Sequence, residues 1–295
     1  MNLEAFYSYL EHEKRYSKNT IEAYRTDVTQ FSAYLALQYG NLSLQKATQP
    51  IIRSWLLSLI EAQLSSKSVN RKISTLRTLY KFLRKFHGLK EDPTENIIAP
   101  KIGKQIPHFV KEEEMKKLLE QIEFKEDFSG VRDKLIIELF YQTGIRTSEL
   151  LTLKEKSVDF STKSIRVLGK RNKERDIPLS SKLLNLIDEY LVKKRETFKE
   201  QNPYLIVLDS GKNLYRKFAY TKVKYYLTQV SSLKKKSPHI LRHTFATHML
   251  KNGADLNAIK ELLGHASLAA TQVYAHNTLE QLKEVHKMAH PRNEN

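Results

Sequence analysis

The stretch "SPHILRHTFATHML", residues 237–250, sets His239, Arg242, His243 and His248 among Ile240, Leu241, Phe245, Met249 and Leu250. Leu241, Phe245, Met249 and Leu250 are expected to hold a helix against a core. The ionisable side chains between them need a reason: solvated positions, a metal, or something negatively charged. His239 and His243 stand four residues apart, but Ile-Leu-Arg between them lacks the glutamate of an HExxH zinc site. Arg242 beside a metal would also repel it. An oxyanion fits better. His239 can donate a hydrogen bond near neutral pH. Arg242 follows within one turn, and its planar guanidinium forks onto phosphate. His243 and His248 read as packing or capping residues.

Outward from that stretch, the whole chain carries the same sign. It has 295 residues, 50 Lys and Arg against 33 Asp and Glu, a formal charge of +17 and a pI near 9.7. Its length favours two domains. A surplus of this size implies a polyanionic partner, nucleic acid or an anionic membrane. No run approaches the roughly 18 apolar residues of a membrane span, and the opening "MNLEAFYSYLEHEKRYS" has no signal-peptide character. Nucleic acid is therefore the expected partner, with no membrane role and a cytoplasmic location. The absence of cysteine excludes disulfides and cysteine-type zinc fingers.

Residues 1–100 are expected to be helical almost throughout. One pattern begins with Phe6, Tyr9, Leu10 and Glu13. "SKNTIEAYRTDVTQFSAYLALQYG" gives a second helix, with Ser17 as N-cap, Gly40 as stop and a stripe of Ile21, Tyr24, Val28, Phe31 and Leu35. "QPIIRSWLLSLIEAQ" gives a third. "SSKSVNRKISTLRTLYKFLRKFHG" gives a fourth, starting near Ser65 or Ser66 and ending before Gly88. This last segment holds basic residues and no acid. Lys67, Arg71, Lys72 and Arg77 in it are expected to lie on a phosphate backbone rather than merely to be solvated. Pro93, Pro100, Gly103 and Pro107 mark a linker, placed at 101–108. Residues 1–100 carry 14 basic and 9 acidic side chains, so +12 of the +17 belongs to the remainder. Two basic lobes suit a grip on one polyanion.

Beyond the linker a helix is expected after Val110, with Glu112, Glu113 and Glu114 favouring its N-terminus. "SVDFSTKSIRVLGKRNKERDIPLS" alternates as strands do, so the second domain is expected to be helical with a small sheet or hairpin. Lys170, Arg171, Lys173 and Arg175 are expected at that hairpin's exposed tip, able to enter a groove and deliver a proton donor. "YQTGIRTSELLTL" puts Glu149 one turn beyond Arg146, close enough to pair. From Gly211 to Pro238 there are eight basic residues and no acid, with tyrosines interleaved. These are Lys212, Arg216, Lys217, Lys222, Lys224, Lys234, Lys235 and Lys236, and the run points to phosphate contact. "LLGHASLAATQVYAH" holds His265 and, nine residues later, Tyr274.

These motifs resemble the tyrosine recombinases (integrases), most closely the Xer chromosome-resolution branch. "TGIRTSEL", "GKRNKERDIPL", "HILRHTFATHML" and "LLGHASLAATQVYAH" occur in family order, and "YSKNTIEAYRTDVTQF", "SVNRKISTLRTLYKFL" and the terminal "HKMAHPR" extend the likeness over nearly the whole chain. One departure is Arg171, where the pattern has a second glycine. The resemblance implies a mainly α fold with a small sheet, arranged as a two-domain C-shaped DNA clamp. Residues 1–100 would form a SAM-like core-binding domain, 109–295 the catalytic domain, and 279–290 a C-terminal exchange helix.

The implied reaction is site-specific DNA strand exchange through a 3′-phosphotyrosyl bond, without metal, cofactor or ATP. Tyr274 would be the nucleophile. Arg146 and Arg242 would grip the phosphate, with His265 donating to it. His239 would bind the phosphate or assist the tyrosine, Lys170 would protonate the leaving 5′-oxygen, and Glu149 would orient a cation of the site. The implied partners are double-stranded DNA and a homo- or hetero-tetramer on two sites. A second Xer recombinase and a DNA translocase of the FtsK type belong to the same picture. The expected task is resolution of chromosome or plasmid dimers at a dif-like site. Alternatives are an integrase or excisionase of a phage or mobile element, with identical chemistry, and a non-catalytic DNA-binding regulator. A regulator would be expected to lack one or more of Arg146, Lys170, Arg242 and Tyr274, and all four are present. Leu279, Leu282, Val285 and Met288 form the apolar stripe expected to dock on a neighbouring subunit.

Overall fold

A computed structural model describes residues 3–101, 108–169, 173–200, 202–264 and 285–293. The chain divides into two compact units, Met1–Gln105 and Ile106–Asn295.

In the first unit, α1 (Leu3–Ser8) continues into a π-helical turn, Tyr9–Glu13, and is followed by α2 (Lys18–Tyr39), α3 (Gln49–Glu61) and α4 (Ser66–His87). The helix limits follow local chemistry. Ser17 Oγ accepts the Thr20 N–H, and Ser65 Oγ accepts that of Ser68, each satisfying a first-turn donor. Gly40 and Gly88 close α2 and α4 in the left-handed conformation. Phe6, Leu10, Val28, Phe31, Trp55, Leu76 and Leu83 fill the core.

Charge also enters this core. Asp27 is fully buried; its Oδ1 accepts Lys72 Nζ at 2.7 Å, and its Oδ2 accepts Arg71 Nη1 at 2.6 Å and Thr75 Oγ1 at 2.9 Å. Lys72 also donates to Gln30 Oε1. This corrects the expectation for Lys72, which is 2% exposed and serves to tie α4 to α2 rather than to meet a phosphate. Lys67, Arg71 and Arg77 remain on the surface, although Arg77 also donates to the Ile97 carbonyl at 2.7 Å.

The second unit is built around α6 (Phe128–Thr143), buried on all sides from Val131 to Thr143 except at Lys134. α8 (Ser181–Thr197), α9 (Arg216–Val230) and α10 (Pro238–Lys251) pack on it and α5 (Glu112–Glu120) packs on α9, with α7 (Thr147–Thr152) directly after α6 and α11 (Leu256–Leu263) after α10. A three-stranded antiparallel sheet in the order β1 (Val158–Asp159), β2 (Ser164–Leu168), β3 (Glu174–Pro178) completes the unit. Ile165 pairs with Ile177, and Val167 with Arg175.

α10 is the opening stretch. Pro238 supplies a first helical residue with no N–H to satisfy. Leu241, Phe245 and Met249 are fully buried as expected, but Leu250 is 53% exposed and takes no part in holding the helix. His248 is buried, with its Nδ1 3.0 Å from the Tyr141 hydroxyl.

The last described segment returns to the end of α6. His286 Nε2 donates to the Gln142 carbonyl at 2.7 Å, and His290 Nε2 to the Tyr141 carbonyl at 3.1 Å. The two imidazoles stack with centroids 5.0 Å apart. Burial pushes His286 down to about 4. Burial, and then His286 beside it, holds His290 well below the usual histidine range. Of the terminal stripe, Val285 packs on the core while Met288 is 75% exposed; Leu279 and Leu282 lie outside the described residues.

Candidate active site

Gly144 ends α6 at φ +59°, and the chain turns through Ile145 so that Arg146 becomes the N-cap of α7. The turn must be glycine: a Cβ there would meet Phe245 Cδ1 at 2.6 Å and Leu263 Cδ2 at 2.7 Å. Glu149 sits at the third position of α7, and its Oε2 accepts the Arg146 backbone N–H at 2.8 Å. Its Oε1 accepts Arg146 Nη1 at 2.8 Å, so the pairing expected from the one-turn spacing is made.

A third residue joins them. Arg175, from β3, forks onto the same carboxylate, with Nη1 to Oε1 at 3.0 Å and Nη2 to Oε2 at 2.9 Å. The expectation of Arg175 at an exposed tip is therefore corrected, since its side chain is only 12% exposed. Strand alternation carries the signal that finds it. Arg175 stands two residues before the buried Ile177, hence on the inward face.

Arg242 completes the group from α10. It is 8% exposed; its Nη1 donates to the Gly144 carbonyl, and its Nη2 to the Leu263 carbonyl at 2.6 Å. The flanking carbonyls at the end of α11 are occupied alike. Arg175 Nε donates to Leu262 O at 2.7 Å, and Arg146 Nη2 to Gly264 O at 2.8 Å. Three successive carbonyls, at the negative end of one helix, thus hold three guanidiniums.

The charge balance is uneven, with three guanidiniums grouped at one carboxylate that only Arg146 and Arg175 touch. Burial raises the Glu149 carboxyl, but the Arg175 hydrogen bonds, the Arg146 N–H, the Arg175 charge and the Arg146 side-chain hydrogen bond outweigh it and keep it below its ordinary range. Burial, with Arg146 and then Arg175 nearby, pushes Arg242 down to about 10, which leaves it cationic at neutral pH. A buried excess of positive charge is costly unless an anion completes it.

Next to this cluster runs a groove of about 550 Å³ lined by Thr147, His239, Tyr220 and five cations, Arg216, Lys224 and Lys234–Lys236. Thr147 adjoins Arg146, and His239 is the second residue of α10, less than a turn before Arg242. His239 and Lys224 are exposed. Lys222, expected to face phosphate, is only half-exposed; its Nζ lies 2.6 Å from Asp133 Oδ2, and it stands outside the groove lining. Its charge is answered within the fold. Lys173 is exposed at the end of the hairpin. Lys170, Arg171, His265 and Tyr274 lie outside the described residues. Among the described residues, no group of three or more His, Asp or Glu gathers as metal ligands.

The sequence profile of the phage integrase family matches residues 108–281, and that of the family's N-terminal SAM-like domain matches residues 3–86. The tyrosine recombinase XerC of Chlorobaculum parvum is 34% identical, over 98% of this chain and 94% of its own. The XerC of Staphylococcus epidermidis is 38% identical, over 98% and 97%. Among solved structures, the XerH site-specific recombinase bound to its difH substrate before cleavage aligns with a TM-score of 0.68 and 26% identity, covering 90% of this chain and 78% of that one. The Tn1549 transposon integrase on circular-intermediate DNA shares the fold, at a TM-score of 0.69 and 19% identity.

Proposed function

This chain belongs to the phage integrase family, and on that premise we propose that Arg146 and Arg242 grip the non-bridging oxygens of a scissile DNA phosphate. The chain is a site-specific tyrosine recombinase that acts on double-stranded DNA and cuts and rejoins it through a phosphotyrosyl intermediate. One observation supports the assignment of the arginines: three guanidiniums share the carbonyls at the end of α11 with a single carboxylate among them, beside a groove lined by cations.

The chemistry follows from that charge. Tyr274 Oη attacks phosphorus, the bond to the 5′-oxygen breaks, and the 3′-phosphotyrosyl link forms. An ordinary tyrosine, with a pKa of roughly 10, is a weak nucleophile at neutral pH and needs a cationic site or a proton acceptor. His239, exposed beside the groove, takes that proton or binds the phosphate. Arg146, Arg242 and His265 stabilise the charge that develops on the phosphate oxygens. Lys170 gives its proton to the departing 5′-oxygen. Glu149 holds Arg146 in place. The covalent link preserves the bond energy, so rejoining reverses the same steps.

Residues 1–100 form the core-binding domain, 101–108 the linker and 109–295 the catalytic domain, with Lys67, Arg71, Arg77, Arg171, Lys173 and Lys224 on the DNA backbone. The XerC relatives support dimer resolution at a dif-like site in the cytoplasm. The working assembly is a tetramer on two sites linked through helix 279–290, with a second Xer recombinase and a translocase of the FtsK type as partners. No helix among the described residues is long and apolar enough to cross a membrane. The test is a nicked suicide substrate resolved on a denaturing gel with EDTA present. Wild type should give a covalent protein–DNA adduct and Tyr274→Phe none, with DNA binding retained. An adduct at wild-type level in the mutant would remove Tyr274 from the reaction.

A further inference from the structure

We infer that Arg175 is a positioning residue of the reaction, one that keeps Arg146 available to the phosphate by saturating Glu149. The inference rests on the reading of Arg146 and Arg242 given above.

A carboxylate offers about four lone-pair sites. On Glu149 all four are matched. Oε1 receives Arg146 Nη1 and Arg175 Nη1, and Oε2 receives the Arg146 backbone N–H and Arg175 Nη2. Arg146 therefore holds the carboxylate through one side-chain nitrogen only. Its second side-chain bond goes to the Gly264 carbonyl. A guanidinium has five N–H groups, so the remaining ones can meet a phosphate.

Removal of Arg175 changes this competition. Glu149 is 3% exposed and would lose two charge-assisted hydrogen bonds that water cannot readily replace. The nearest donor is Arg146. The preferred geometry of an arginine and a free carboxylate is two parallel bonds. Arg146 would turn onto Glu149 as a fork and leave both Gly264 O and the phosphate.

Arg175 also fixes the backing of the site. Its Nε holds Leu262 O at 2.7 Å, immediately before the carbonyls that hold Arg242 and Arg146. The fit is close. Gly264 has φ +63°, and a Cβ there would meet Arg175 Nη1 at 3.0 Å. Because Arg175 lies on β3, it ties the hairpin, the carboxylate and the end of α11 into one unit.

The test uses the full-length protein and two variants. Arg175→Lys keeps the positive charge but not the fork, and Arg175→Ala removes both. Cleavage is measured on a suicide substrate with an ordinary scissile phosphate and on one with a methylphosphonate there. The methyl group replaces a non-bridging oxygen and removes the charge that Arg146 and Arg242 bind. On ordinary DNA both variants should cleave roughly 100-fold more slowly, the scale of a small misplacement in a catalytic group. On methylphosphonate DNA the defect should shrink to less than about 10-fold, since less anionic charge needs gripping. The ratio of the two rates within one preparation does not depend on how much of the protein is folded. An equal defect on both substrates would mean a general structural role and would overturn the inference. So would rescue by a 5′-bridging sulfur in place of methylphosphonate, because that places the defect at the leaving-group acid. Failure of the wild type to form any adduct would instead strike the parent reading.

Discussion

Asp27 in the first unit and Glu149 in the second are both buried carboxylates that bind two cations, and they do opposite things. Asp27 takes Lys72, Arg71 and Thr75, and Gln30 caps the lysine. Lys72 is sealed inside, and the one surplus charge of the cluster, on Arg71, reaches the surface. Glu149 takes Arg146 and Arg175, while Arg242 stands behind them on carbonyls alone. This second cluster is short of negative charge. Both clusters hold more cations than carboxylates, so what separates a clasp from a receptor is where the surplus charge sits: at the surface on Arg71, but buried on Arg242.

The largest expected effect would break the clasp. Asp27→Ala leaves Lys72 buried without its partner and should cost about 3–5 kcal/mol of stability, measured by urea unfolding. Asp27→Leu with Lys72→Met should be near neutral, because it removes both charges together. A double variant as unstable as the single one would refute the clasp.

Next comes the receptor. Arg242→Ala should slow cleavage by about 10²–10³-fold on pre-bound DNA. Stability should change less than in Asp27→Ala, because relief of repulsion offsets the loss of donors to Gly144 and Leu263. A fall in stability as large as that of Asp27→Ala would place Arg242 in the closed kind.

The histidine stack sharpens the contrast, because burial there keeps groups neutral. Tyr141, His248 and Arg292 face it. The folded pKa of His286 is about 4, against 6.5 for the free side chain. Its contribution is therefore complete above 6.5 and is lost as pH falls toward and through 4. The slope should reach about 1.4 kcal/mol per pH unit for each such group. Urea midpoints between pH 7 and 5 measure it, and His286→Phe should flatten the slope. An unchanged slope would mean the imidazoles are not protected.

The smallest effect belongs to Arg166 and Asp176, paired at 2.8 Å on the exposed sheet face. Arg166→Ala should cost less than about 1 kcal/mol. A larger loss would show that exposure does not separate ornamental ion pairs from the two buried clusters.

Much of the fold was legible because its signals are local. Ser17 and Gly40, or Ser65 and Gly88, bracket their helices within a turn of the residues they satisfy. The hairpin strands declare themselves by alternation. The π-helical turn at Tyr9–Glu13 and the two-residue β1 carry no such local mark. In the site, Arg146 and Glu149 were legible as one-turn neighbours. Lys72 was misread because the acid that neutralises it lies on another helix, 45 residues away. Arg175 was misread because its partner lies 26 residues earlier, and the basic hairpin around it suggested exposure. Charge reads well as composition and poorly as destination, since pairing is decided by tertiary packing.

The end of α11 holds the arginines through the carbonyls of Leu262, Leu263 and Gly264. A carbonyl belongs to every amino acid, so no missense change can delete one. The apolar side chains at 262 and 263 could drift among similar sizes without the guanidiniums losing an acceptor. Gly264 is different, because any side chain there would press on Arg175. The heritable weak point of this support is therefore spacing: one inserted or deleted residue in α11 would hand every arginine the wrong oxygen.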